Sequence, residues 1–429
     1  FGSSTGSSRK RDASKPDFSA HQADLKAMAV VDSASRPAPE FLKRMAQANQ
    51  NIICTARGDD VRKVDVAHLL SRGLRIPIFQ RRYCWAGDNW RTLLDDARLV
   101  ASGRKDRHSL GRITCTFGSG GDGRLLVVDG QQRNTTCTLL LAAVRDVAAG
   151  RGGSAACQAL AADLDAMLLP SGLESWLASR PQGAPLADGE EVPCAALVPT
   201  YCDRASYFAA VLPPGASADA GSGSWRRPAE AKRFFLEQLQ GDGDEQLRSL
   251  ADAVLHKLEW LLFPIDMSGD HGDGTEDLHL IFERLALRDA TFCKPHRETE
   301  YANMGAADFV RNLLLGSFRR EERAVEAYKS CWLPLEQAAA ALADARGGGG
   351  LASPLEGMLD AFLRQQPRQG GGQCPPAAGG VGGALYARFR RWLPEALAGE
   401  GAGGEEATEA LLRRLRDFAL GHFGARAAR

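Results

Sequence analysis

The chain predicts an α+β fold, an α/β N-terminal domain followed by a mainly helical domain, and three observations predict it. Between residues 64 and 149, short apolar runs rich in β-branched residues alternate with amphipathic stretches at helical spacing. Beyond residue 151 the apolar stretches recur every three to four residues, as a helix face does. Glycine runs at 347–350 and 370–383 then split the C-terminal part into separate helical pieces. These shifts define four segments: a tail and loose helix over 1–50, an α/β domain over 51–150, a helical domain over 151–345, and a glycine-linked helical segment over 346–429.

Residues 1–20 are Gly/Ser and Lys/Arg, too poor in apolar surface to offset the entropy of ordering, and residues 25–50 hold at most a loose helix. Val64–Leu70 reads as a helix and Leu74–Ile78 as a strand. A helix follows Asp88, carrying Leu93 and Leu94, and strands follow around Leu110–Phe117 and Leu125–Val128. The next helix, running to Ala149, carries Leu139, Leu140, Leu141, Ala143, Val144 and Val147, with Thr135 or Thr136 expected as its cap. Ala155–Leu169, Ala229–Leu239 and Glu245–Leu262 read helical, separated by Gly/Pro/Ser breaks at 180–193 and 213–228. Leu355–Arg364, Leu385–Leu397 and Glu405–Phe423 complete the helical set, and there is no internal repeat.

At 429 residues the chain is long enough for two or three domains, and 44% hydrophobic with 25% charged residues marks an ordinary globular protein. Basic and acidic side chains balance at 53 each, so no global field draws in nucleic acid or membrane. Locally, residues 72–133 carry twelve Lys and Arg against six Asp and Glu, a net of +6 that suits either a polyanion or a solvated surface. Ten cysteines are scattered without a Cys-x-x-Cys pair, which fits reduced thiols of a cytoplasmic or nuclear compartment better than a disulfide framework or zinc ribbon, with Cys137 a small core residue. No stretch approaches the ~20 apolar residues of a membrane span, so no membrane partner is expected. The chain starts at Phe1 rather than methionine, which leaves targeting information open.

The most informative segment is Leu125 to Thr138: an apolar strand enters Asp129-Gly130-Gln131-Gln132-Arg133 and then opens a helix. Gly130 permits a tight turn, the first helical amides favour an anion, and Arg133 adds a charge-assisted hydrogen bond, the architecture of a phosphate site. Asp129 suits orienting Arg133, binding a metal-bridged phosphate or positioning water, but also simply closing the turn. Gln131 and Gln132 suit water positioning or base recognition rather than proton transfer. Upstream, Phe79-Gln80-Arg81-Arg82-Tyr83-Cys84-Trp85 forms a second polar turn after a strand. Gln80 and Arg81 are expected to face Arg133, the aromatics Phe79, Tyr83 and Trp85 to fix the loop from the core, and Arg82 to be solvated. His271 to His279 lies in a glycine loop that completes neither a tetrahedral nor a calcium-loop pattern, so no metal site is assigned. There is no Walker A loop, dinucleotide fingerprint or Gly-x-Ser-x-Gly elbow.

The pairing of the 79–85 turn with Asp129-Gly130-Gln131-Gln132-Arg133, joined by the strand-like His108–Phe117, resembles the GmrSD-type restriction endonuclease N-terminal domain family, whose members look like relatives of the ParB and sulfiredoxin nucleotide-binding fold. Ile281–Leu285, Ala307–Asn312 and Trp332–Glu336 match as well, so the resemblance covers about residues 60–340. It implies a ParB/sulfiredoxin-like domain that binds a nucleoside triphosphate with Mg2+ and hydrolyses it slowly, as the nucleotide-dependent module of a restriction-like system. Asp129, Gln131, Gln132 and Arg133 are then the catalytic residues, and Gln80, Arg81, Gly130, Arg133, Asn134, Thr135 and Arg288 bind the nucleotide. The chain departs from the family where Ala286 replaces an asparagine, where Asp289 replaces a glycine, and where Cys293–Gly305 extends a loop. The family's His-containing nuclease module has no counterpart, since His422 is the one histidine after residue 300. DNA cleavage is therefore not expected of this chain, and the partners implied are nucleotide and either DNA or a separate nuclease subunit. The alternative is a non-catalytic nucleotide-gated or DNA-binding scaffold.

Overall fold

A computed structural model describes residues 36–37, 61–117, 123–169, 172–216 apart from 182–183, 185, 188 and 194, then 226–265, 282–283, 305–345, 352–366, 381–399 and 404–427. Among the described residues, seven strands form one mixed sheet in the order β1-β2-β7-β4-β5-β3-β6. β1 (Arg36–Pro37) and β2 (Arg62–Asp65) pair antiparallel at one edge. The expected helix over Val64–Leu70 begins later than the apolar pattern suggests, at α1 (Val66–Arg72), because the Asp65 carboxylate caps it by accepting the His68 amide at 2.7 Å. β3 is only Leu74–Arg75, since the Gln80 amide turns back onto the Pro77 carbonyl at 3.0 Å and ends the extended run before Ile78. α2 (Gly87–Ala101), β4 (His108–Phe117), β5 (Leu125–Asp129) and α3 (Gln131–Ala149) follow the expected order.

Helices α4 (Ala155–Leu168) and α5 (Leu173–Ala178) lead to β6 (Leu197–Val198), and α6 (Arg204–Val211), α7 (Arg227–Leu239) and α8 (Asp244–Asp252) to β7 (Leu258–Ile265). The sheet thus draws strands from well beyond residue 150. β7 also corrects the reading of Glu245–Leu262 as one helix: the helix stops at Asp252, a π-helical turn spans Ala253–Lys257, and the rest is strand. The physical reason is burial on both faces. A continuous apolar run with Trp260 to Phe263 lacks the alternation that separates strand from helix in sequence.

Adjacent residues of a strand point to opposite faces, and here each face has its own core. Val127, Trp260 and Leu262 pack with α1, α2, α3 and α7, whereas Val128, Phe263 and Ile265 pack with Ile78, Phe79 and the later helices. Those are α9 (Ala306–Gly316), α10 (Glu321–Ala327), α11 (Leu333–Ala345), α12 (Ala352–Gln365), α13 (Val381–Gly399) and α14 (Glu405–Ala427), with α13 starting inside the glycine run expected to be linker. The architecture is α+β, a mixed sheet between two helical layers. α3 is the central helix of the first layer and is buried nearly all round, with Leu139 to Val144 fully enclosed, rather than one-sided as its expected amphipathic role implied.

Candidate functional site

The site begins where β5 ends. Gly130 adopts φ +98 as the N-cap of α3, and a side chain there would meet the Ile113 side chain and backbone at 3.1–3.3 Å, so the turn both needs and protects a glycine. Thr135 and Thr136 are consequently inside the helix and do not cap it. The first turn carries no acidic residue, leaving the positive end of the helix dipole unneutralised there. Asp129 accepts from Arg112 Nε at 3.0 Å, which brings a guanidinium from β4 to the strand end. Arg133 bonds the Leu110 carbonyl and lies over the Trp260 ring, 5.6 Å from its centre. Room for it exists because Gly111, at a register shift in the β4–β7 pairing, has φ +86, and a Cβ there would stand 2.7 Å from Arg133 Nη1.

The 79–85 turn is fastened to this element by four hydrogen bonds. Gln80 Nε2 donates to the Val128 carbonyl at 2.9 Å, and Gln132 Oε1 accepts the Cys84 amide at 2.9 Å while its Nε2 donates to the Arg82 carbonyl at 3.2 Å. Tyr83 shares a 2.7 Å hydrogen bond with Thr136 and accepts from Trp90 Nε1 at 2.8 Å. The aromatics Phe79, Tyr83 and Trp85 hold the loop from the core, as expected. Gln132, assigned to catalysis from sequence, has both ends of its amide bound to loop backbone, so its visible task is positioning. Gln80 and Asn134 leave an acceptor over. Asn134 Nδ2 donates to the Gly130 carbonyl at 3.1 Å, and since a carbonyl requires a donor, both amide orientations are determined. Gln80 Oε1, Asn134 Oδ1 and Gln131 Oε1 are buried and accept no hydrogen bond.

Arg82 is not solvated. It forms an ion pair with Glu336, whose carboxylate also accepts from Tyr328 at 2.7 Å and Trp332 Nε1 at 2.9 Å, with Arg311 Nη1 at 3.6 Å. Arg311 reaches back to the Ile78 carbonyl at 3.0 Å and lies over the Tyr328 ring at 5.0 Å. Burial alone would raise the Glu336 carboxyl, but Arg82 and Arg311 hold it below its ordinary value. Asp203, which accepts the Tyr83 amide at 2.7 Å, is pushed up to about 6 by burial, only partly offset by that amide and the two arginines. Asp308, capping α9 at the Gly305 amide at 3.1 Å, is likewise raised by burial against the pull of Arg81. Sequence reasoning assigned Arg311 and Glu336 no role. The available signal was an ionisable residue inside an otherwise apolar helix, Arg311 among Phe309, Val310 and Leu313, and Glu336 between Leu335 and Ala338.

Asp129, Gly130, Gln131, Gln132, Arg133, Asn134 and Thr135 therefore lie on one strand–helix junction, with Gln80 hydrogen-bonded to it and Arg81 on the same loop, electrostatically coupled to Asp308 at the start of α9. Arg288 and Ala286 lie outside the described residues, as does His271–His279. Among the described residues no three His, Cys, Asp or Glu side chains gather as metal ligands, and no helix is long and apolar enough to cross a membrane. None of the six described cysteines forms a disulfide, and burial pushes the Cys137 thiol up to about 12. The junction offers guanidinium and amide donors for an anion, flanked by neutral carboxamides.

Residues 66–285 match the family model described as GmrSD restriction endonuclease, N-terminal domain. No curated protein matches the chain. The matched span runs from the start of α1 past β7, and so contains the whole junction and the helices α1 to α8 that pack with the first core.

Proposed function

This chain belongs to the GmrSD restriction endonuclease N-terminal domain family, and from that premise we propose that the β5–α3 junction binds the phosphates of a nucleoside triphosphate and that slow hydrolysis there switches a DNA-directed partner. One observation carries the reading: Gly130, at φ +98 under Ile113, opens a helix with no acid in its first turn, between the guanidiniums of Arg112 and Arg133. An anion at such an N-terminus gains about 0.3–1 kcal/mol from the dipole and roughly 1.5–3 from each charge-assisted bond. Arg133 thus outweighs the helix end, and Arg81 closes over the phosphates from the second turn, while Gln80, whose nitrogen is held by the Val128 carbonyl, presents its oxygen to the nucleotide. Mg2+ ordinarily keeps several waters and takes one or two carboxylates with the substrate phosphates, which Asp129 suffices to supply and which the absence of a three-acid cluster among the described residues does not oppose. Bound there, it would neutralise phosphate charge. The buried oxygens of Gln131 and Asn134 are acceptors suited to orienting water.

One observation weighs against the alternative of a basic surface gripping DNA. Arg75, Arg82, Arg98 and Arg107 pair with Glu191, Glu336, Asp242 and Glu259, acids remote in sequence that cancel much of the local charge. The test is calorimetric titration with a nucleotide panel, with and without Mg2+ and DNA. Arg133→Ala is expected to weaken triphosphate binding by about one to two orders of magnitude. Equal affinity in wild type and variant, both folded by circular dichroism, would sink the phosphate-site assignment.

A further inference from the structure

The buried polar atoms without partners are not spread evenly. Asn312 on α9 is about 1% exposed, and neither its amide nitrogen nor its amide oxygen has a hydrogen-bond partner. A folded chain rarely leaves a buried carboxamide so, because each unsatisfied group forfeits the hydrogen bonds it had with water. Its neighbour Arg311 donates to the Ile78 carbonyl at 3.0 Å and to Thr200 Oγ1 at 3.4 Å, and Thr200 Oγ1 in turn lies 3.5 Å from the Gln80 carbonyl. The helix turn that carries Asn312 is thereby held to the loop that carries Gln80, a carboxamide that likewise has a buried acceptor to spare.

We infer that Asn312, with Gln80, reads the base of the bound nucleotide. The inference rests on the nucleotide reading above and adds the half of the ligand that reading leaves unassigned. The chemistry separates the two halves. Phosphate oxygens have no hydrogen to give, so they cannot satisfy the oxygen of Gln80 or of Asn312. The edge of a nucleobase can, because it sets a donor beside an acceptor, the complement of a carboxamide, and asparagine pairs in this two-pronged way with base edges. Arg133 and the α3 amides then supply affinity common to every triphosphate, and Asn312 supplies affinity that only a base can collect. Sites of this kind discriminate strongly, since a ligand lacking the base leaves the carboxamide as unsatisfied as before.

The experiment compares the best-bound nucleoside triphosphate with inorganic tripolyphosphate on wild type, Asn312→Ala and Asn312→Leu, by calorimetry, alongside thermal melting of each protein. The wild type is expected to bind the nucleotide more tightly than tripolyphosphate by about tenfold or more, and both variants to lose that difference while holding tripolyphosphate within about twofold. Both variants should melt at or above the wild type, because an unsatisfied amide has been removed. If both ligands weaken together, or neither changes, the base-reading role is overturned while the phosphate site stands. If both variants melt well below the wild type, the amide is structural and the inference fails. A wild type that binds neither ligand overturns the phosphate site and this inference with it.

Discussion

Asp203 shows how a residue that touches no ligand acquires a measurable signature. Its carboxyl rises from an ordinary 3.8 to about 6 because burial disfavours the charge more than the Tyr83 amide, Arg82 and Arg311 favour it. Between those values the folded chain holds a proton that the unfolded chain has released, so this contribution to stability is complete below about pH 4 and is lost as pH rises to about 6 and beyond. At most the loss is on the order of 3 kcal/mol, at 1.36 kcal/mol per pH unit. Glu336 acts in the opposite sense: its carboxyl is held low, so its contribution is present above its unfolded value and lost as pH falls through the folded one. Asp203→Asn keeps an oxygen for the Tyr83 amide and removes the titration. Urea unfolding at pH 4 and pH 7 should show the variant gaining on the wild type as pH rises, and a pH-independent difference would refute the assignment. None of this is legible in sequence, where Asp203 sits in Tyr-Cys-Asp-Arg with no partner in view. Its partners come from residues 82, 83 and 311.

At the scale of elements, the strand–turn–helix at 125–149 was readable because its signals are local. An apolar run, a glycine and a helix repeat all lie within 25 residues. The expected cap differs from the observed one for an equally local reason: a threonine offers a capping oxygen that glycine lacks, but the turn requires φ +98 at position 130, which the sequence does not reveal as the decisive condition. Gly130→Ala combines that backbone strain with a Cβ at 3.1–3.3 Å from Ile113, whose backbone cannot move aside cheaply. It is expected to lower unfolding free energy by about 2 kcal/mol or more, read from denaturant midpoints at unchanged slope. Gly111→Ala differs: the nearest atom is the far end of the Arg133 side chain, so besides the strain of φ +86 it displaces that guanidinium from Leu110. A result in which Gly130→Ala is as stable as wild type would show that the turn relaxes and that glycine is not what shapes the junction.

For the whole molecule, the net of +6 over residues 72–133 is a sequence-window property that folding largely dissolves. Arg75, Arg82, Arg98 and Arg107 are answered by acids between 116 and 254 residues away along the chain, and Arg112 by Asp129. Such pairs stabilise little at the surface but leave few charges to release counterions from a duplex. Affinity of the chain alone for unmodified duplex DNA is therefore expected to change by about tenfold or less between 50 and 200 mM salt, as for two or fewer phosphate contacts. A steep dependence, on the order of 1000-fold, would restore the DNA-gripping alternative. The second helical layer belongs to the same account, because Glu336 and Arg311 join α9 and α11 to the 79–85 loop through buried charge that would be costly to break singly.

By itself the sequence determined the α+β class, the order of most elements from Val66 to Ala149, the strand–glycine–helix junction and the family resemblance, because each depends on residues close together in the chain. Only the tertiary structure decided that β7 is a strand beside β4, that Gln132 positions a loop rather than standing free, and that Arg82 is buried against Glu336. Trp260 to Phe263 could have been helix or strand until two cores covered both faces. Arg82 could have been solvated until a carboxylate 254 residues away met it. A local pattern states which surface a segment must bury, but the partner that buries it, or that neutralises its charge, is supplied by the fold.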